Sequence, residues 1–131
     1  MIKAEGIHKT FEDFTALDNI TCNISDGCIY GMVGSNGAGK STFLRVLSGI
    51  YKPDKGCAYI DDEPIYENPK VKENIVFVSD ELFFLPGATM SKMADFYSSI
   101  YDRFNYDRFL KLAELFELNI KKPIANFSKG M

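Results

Sequence analysis

Long apolar runs are missing from this 131-residue chain, and several other features are scarce. No stretch approaches the ~18 apolar residues that a membrane span requires. The opening Met1-Ile2-Lys3-Ala4-Glu5 lacks the apolar segment of a signal peptide. The expectation is a cytoplasmic protein. Cysteine is sparse: Cys22, Cys28 and Cys57 are odd in number and lack metal-site spacing, so reduced thiols in or near a core are expected. His8 is the only histidine, at the start of a strand segment, and suits a surface or satisfied role better than a catalytic one. Excess positive charge is absent too. With 15 Lys and Arg against 18 Asp and Glu the net charge is −3, and no basic run stands out, which argues against a generic nucleic-acid binder. There is no internal repeat and no low-complexity segment.

What is present suits one small globular domain or a piece of a larger one: 46% hydrophobic and 25% charged residues. Ile2 to Phe11 and Ala16 to Ile24 read as two strands around the polar turn Glu12-Asp13. Cys28-Ile29-Tyr30-Gly31-Met32-Val33 is nearly continuous in apolar character, the pattern of a strand buried on both faces of a parallel sheet. Phe43, Val46, Leu47 and Ile50 then form one face of a helix, which Gly49 and Pro53 should stop. Cys57 to Ile60 is a further strand, Asp61-Asp62-Glu63-Pro64 a turn, and Ile75-Val76-Phe77-Val78 another buried-type strand. From about residue 83 the pattern is helical. Thr89 or Ser91 can cap a helix with the stripe Met93, Phe96 or Tyr97, Ile100 and Phe104, and Phe109, Leu112, Ala113 and Phe116 share a face of a second.

Between the first buried-type run and the first helix lies Gly34-Ser35-Asn36-Gly37-Ala38-Gly39-Lys40-Ser41, which fits Gly-x4-Gly-Lys-Ser/Thr. Phosphates need convergent N–H donors and positive charge without steric obstruction. Gly37 and Gly39 permit backbone conformations that let successive N–H groups point into one concavity. The helix beginning near Lys40 adds the positive end of its dipole. Lys40 can reach the β- and γ-phosphates, the Ser41 hydroxyl can ligate Mg²⁺, and Thr42 can serve the α-phosphate. A chance match in a chain this long is expected well under about one time in a hundred. MgATP is the expected ligand.

Three further segments narrow the reading: Ala16-Leu17-Asp18-Asn19-Ile20 ahead of Asp26-Gly27, Ser48 to Gly56 after the loop helix, and Phe127-Ser128-Lys129-Gly130-Met131 at the end. Together with the loop they resemble the nucleotide-binding domain of an ABC transporter, over about its first half. The resemblance implies an α/β fold: a partial P-loop NTPase core with an N-terminal antiparallel β subdomain over residues 1–82, and a helical subdomain over 83–131. It implies that Phe11 stacks on adenine, as an aromatic π-face can, and that Ser128 and Gly130, within a departed-from signature motif, reach the γ-phosphate of a second nucleotide-binding domain in a head-to-tail dimer. Asp80 stands where the family has a Mg²⁺-touching glutamine, and aspartate is itself a suitable hard-oxygen ligand. The resemblance also implies a transmembrane permease partner, a peripheral position at the inner face of the cell membrane, no nucleic-acid partner, and ATP hydrolysis coupled to transport.

Hydrolysis requires an oriented water as well as a held γ-phosphate. The family's Walker B aspartate, catalytic glutamate and switch histidine all follow the signature motif. The chain is therefore expected to be the front part of a longer ATPase, to bind nucleotide weakly alone and to hydrolyse it poorly. The departures at Asp80 and Lys129-Gly130-Met131, with the aromatic run Leu82-Phe83-Phe84, look similar to bacterial drug and peptide-antibiotic exporters of the family. Two alternatives stand beside this: a soluble ABC-type ATPase, and another P-loop phosphotransferase with Asp80-Glu81 as its acidic centre.

Overall fold

Phe11-Glu12-Asp13-Phe14 closes a tight hairpin between β1 (Ile2–Phe11) and β2 (Phe14–Ile24), antiparallel from Ile2 opposite Ile24 to Phe11 opposite Phe14. The two-residue turn holds Glu12 at φ 50°, the positive sign such turns favour. Pairing thus starts β2 two residues earlier than its Ala16–Ile24 pattern suggests. The computed structural model describes residues 1–80 and 83–128. It divides into two units, Met1–Val78 and the part from Ser79 onward.

In the first unit β3 (Lys55–Ile60) lies antiparallel on the other side of β1, with Ile60 opposite Ile2 and Ala58 opposite Ala4. The short β4 (Glu63–Pro64) pairs with the end of β3, where the sequence suggested only a turn. The sheet order is β2-β1-β3-β4. Helix α1 (Lys40–Leu47) buries Phe43, Val46 and Leu47 against Ala4, Ile7, Leu17, Ala58, Ile65 and Val71. Ile50 does not join that face: the helix ends before it and its side chain is exposed. A one-turn helix α2 (Pro69–Lys72) was not anticipated, although Asn68 before Pro69 carries its start signal, and the Asn68 side chain accepts a hydrogen bond from the Val71 N–H.

Two expected strands are not strands. Cys28–Val33 and Ile75–Val78 have no ladder partner among the described residues. Ile29 and Val33 are 103% and 99% exposed, and Val76 is 89% exposed. A run buried on both faces needs neighbours on both sides, and the antiparallel sheet offers these runs none. They flank an open apolar trough of about 520 Å³, with Ile2, Ile24, Met32 and Leu47 along it.

The second unit is helical. Thr89 caps α3 (Met90–Ile100) by accepting from the Lys92 N–H, and Asn105 caps α4 (Tyr106–Leu115) by accepting from the Arg108 N–H. A 3₁₀ turn at Ile124–Asn126 follows, and Pro123 bridges back to Thr89. Ala88, Met93, Ala94 and Ala113 are buried. Helix α3 stops before Phe104, which instead packs with Tyr106 and Phe109, while Leu112 and Phe116 are exposed rather than buried.

Candidate functional site

The loop Gly34–Ser41 is built outward from the sheet. Gly37 and Gly39 have φ of 83° and 82°, the left-handed region that side chains other than glycine resist. Gly39 is also pressed against β2: a Cβ there would lie 2.3 Å from the Ala16 carbonyl oxygen and 3.0 Å from Leu17. This glycine therefore fixes both the turn of the loop and its distance from the hairpin. The Ala38 N–H donates to the Ser35 carbonyl at 3.3 Å and closes the loop on itself.

Gly39 is the N-cap of α1, with no side-chain cap and no acidic residue in the first turn. The first intrahelical bond comes from the Phe43 N–H to the Gly39 carbonyl, 2.8 Å. The N–H groups of Lys40, Ser41 and Thr42 precede it and have no intrahelical acceptor, as at any helix start. They add the positive dipole end to the loop mouth. The Lys40 ammonium folds over the loop and donates to the carbonyls of Gly34 at 2.7 Å and Ser35 at 2.6 Å. Ser41 is exposed and Thr42 half-buried. The arrangement places backbone donors and the Lys40 charge together on one largely exposed loop, which suits a multiply charged anion.

Phe11 stands on the hairpin whose other strand touches Gly39. Leu17 pairs with Lys9, two residues before Phe11. Phe11 is 39% exposed. Its ring meets Tyr51 at a centroid distance of 5.4 Å and an interplanar angle of 67°, and the Lys9 ammonium lies over it at 5.5 Å. Asp54 holds this corner: it accepts from Lys9 at 2.8 Å and from the Thr10 N–H at 2.7 Å. The Lys9 hydrogen bond, then that of Thr10, keeps the Asp54 carboxyl below its usual range. Sequence reasoning missed Tyr51 and Asp54, because the contacts joining them to β1 span some forty residues of chain and leave no local pattern.

Asp80 and Ser128 belong to the second unit, Ser41 and Lys40 to the first. Asp80 is exposed at a bend. Phe127 lies under the Lys122 ammonium at 5.5 Å, and exposed Ser128 lines an apolar cavity of about 320 Å³ with Met93, Tyr97 and Phe109. Glu81, Leu82, Lys129, Gly130 and Met131 lie outside the described residues. His8 Nδ1 faces the Asp18 carboxylate at 3.1 Å, a satisfied residue as expected. Cys22 and Cys57 are half-buried, and burial pushes the Cys22 thiol up, but Cys28 is exposed rather than near the core. No helix among the described residues is long and apolar enough to cross a membrane.

This layout is that of a P-loop NTPase cassette. An ATP-binding cassette dimer in a post-hydrolysis state bound to ADP and Pi superposes with TM-score 0.80 at 23% identity, over 99% of this chain and 64% of its own. A putative ABC transporter ATP-binding protein from Pyrococcus furiosus superposes with TM-score 0.80 at 27% identity, over 98% and 64%. The family model for ABC transporters matches residues 17–131, and the chain belongs to that family. It is 29% identical over 131 residues to ABC transporter ATP-binding protein YtrB of Bacillus subtilis, covering 100% of this chain and 45% of that protein. It is 33% identical over 94 residues to arabinose import ATP-binding protein AraG 1 of Burkholderia ambifaria, covering 70% and 19%. The chain thus spans less than half the length of these curated relatives. They include an import protein, so they lend nothing to the exporter reading.

Proposed function

We propose that this chain binds MgATP as the ATP-binding part of a transport ATPase. The observation that supports this most directly is the loop Gly34–Ser41. Its two left-handed glycines, the Lys40 ammonium and the uncapped start of α1 lie together in one short, largely exposed loop. The β- and γ-phosphates lie against the loop N–H groups and Lys40, the α-phosphate against Thr42, and adenine against Phe11. Toward the metal, the residue within the loop's own unit is Ser41, which offers an exposed hydroxyl. MgATP supplies the phosphoryl group whose transfer to water drives transport. What this chain's residues do is bind it, neutralise its charge and hold it in register.

In the complete transporter, Ser128 and Gly130 serve the nucleotide of a second cassette in a head-to-tail dimer. A permease partner places the protein at the inner face of the cell membrane. Neither a soluble ABC-type ATPase nor a phosphotransferase centred on Asp80-Glu81 has a supporting observation of its own.

Calorimetric titration with MgATP tests the binding. Lys40→Ala should weaken it by about 100-fold or more, since it removes one member of a charged pair. Equal affinity of the variant and the parent chain would remove the loop from the reading.

A further inference from the structure

We propose that Tyr51 is a positioning residue that orients the Phe11 ring for stacking on the nucleotide base. The inference rests on the reading that this site binds a nucleotide, and it adds a residue that neither the loop pattern nor the Phe11 assignment contains.

Tyr51 is tied to the phosphate helix. Its N–H and that of Ile50 both donate to the Arg45 carbonyl, at 3.1 and 2.8 Å, so it hangs from the last turn of α1. The Arg45 guanidinium lies over the Tyr51 ring at 5.8 Å and fixes it from that side. Tyr51 in turn meets Phe11 in a tilted edge contact at 5.4 Å. Three residues on, Asp54 grips Lys9 and the Thr10 N–H, and its own N–H donates to the His8 carbonyl at 2.7 Å. The segment Tyr51–Asp54 therefore holds the end of β1 by both its side chains and its backbone. Phe11 is left with a substantial exposed share but a restricted ring.

The consequence for binding is geometric. Helix α1 begins at Lys40, at the proposed phosphate site, and its last turn, through Arg45, holds the residue that braces the ring. One rigid element thus sets the phosphate site and the base platform relative to each other. A stacking ring held in place before the ligand arrives loses less freedom on binding than a ring that must be ordered. The edge contact favours one ring attitude over others.

The test separates base from phosphate. Wild type, Tyr51→Ala, Tyr51→Phe, Phe11→Ala and the double variant are each titrated with MgATP and with magnesium tripolyphosphate, which has no base. Tyr51→Ala should raise the Kd for MgATP by about 3- to 10-fold, the scale of an aromatic pair, and leave tripolyphosphate within about twofold. Tyr51→Phe keeps the ring and should restore MgATP binding. The double variant should bind no more weakly than Phe11→Ala alone, because the brace has nothing left to hold. Equal losses for both ligands, or additive losses in the double variant, would overturn the proposal. Should Tyr51→Ala fail to fold, Tyr51→Leu keeps apolar bulk without the aromatic edge and is read by the same split. A wild type that binds neither ligand, or a Lys40→Ala variant that binds both, overturns the nucleotide site itself and Tyr51's role with it. A chain that binds both ligands but shows no effect of Tyr51→Ala overturns this inference alone.

Discussion

Two apolar parts of the first unit have similar composition and opposite fates. Where the sheet faces α1, apolar residues find cover: Ala4, Ile7, Leu17, Val46 and Ala58 are all buried. In Cys28–Val33 and Ile75–Val78 none is fully buried: Met32 and Ile75 pack only partly on that core, and Ile29, Val33 and Val76 stand almost wholly in solvent. The difference is the distance to a partner. Each strand of the antiparallel sheet pairs with one reached by a turn or by a single crossing over α1. Parallel-type runs take their neighbours through crossovers and from farther along a chain. Strand-like composition thus makes a strand only where a second backbone is within reach.

The largest effect that sharpens this contrast is on stability. Ile7 is fully buried at the centre of the sheet–helix core. Ile7→Ala should cost about 2–5 kcal/mol, the range for truncating a buried isoleucine. Ile29→Ser removes an equally large side chain from an exposed position and should shift stability by no more than about 0.5 kcal/mol. Urea unfolding of both variants checks it. Comparable losses would mean that the run around Ile29 is covered in solution.

Within the covered part, a smaller effect distinguishes two glycines of one loop. Gly37 and Gly39 share nearly the same φ, but a Cβ on Gly37 meets nothing within 4 Å while one on Gly39 meets the Ala16 carbonyl at 2.3 Å. Gly37→Ala should carry the conformational penalty alone, about 1 kcal/mol. Gly39→Ala adds a collision with the β2 backbone and should cost about 1–3 kcal/mol. It should also weaken MgATP binding more, because it moves the loop away from the hairpin that carries Phe11. Thermal melts and MgATP titrations of the pair give both comparisons, and the order of the two losses is what the packing fixes.

These residues also show how far the sequence could be read. The hairpin, the α1 face through Leu47 and the cap at Thr89 are local patterns, each visible within a few residues. Lys40 and the glycine loop were legible for the same reason, since their chemistry is confined to eight consecutive positions. The family resemblance is matched by the comparison over residues 17–131. Tyr51 and Asp54 were not legible, because what makes them matter is contact with β1 across the fold. Cys28–Val33 was misread because periodicity reports what a run needs and not whether a neighbour supplies it. Phe104 and Phe116 were assigned to helix faces by spacing, but α3 and α4 end before them.

The smallest expected effect concerns the acid side of the Asp54 corner. The Lys9 and Thr10 hydrogen bonds favour the ionised carboxyl, so its folded value lies below the ordinary 3.8. A depressed carboxylate contributes stability that is complete above the unfolded value and is lost as pH falls through the folded one. The contribution should therefore be present from neutral pH down to about 4 and fade below it. Asp54→Asn keeps an acceptor for Thr10 but not the charge facing Lys9. The Tm difference between parent and variant should be small and constant above about pH 5, then narrow as the parent's carboxyl protonates. Asp54 is exposed, and the Lys9 contact is open to salt, so the same difference should shrink in high salt at neutral pH. A gap that persists unchanged at low pH and in salt would mean that the corner depends on its second acceptor oxygen, which asparagine replaces with an N–H donor, and not on the charge.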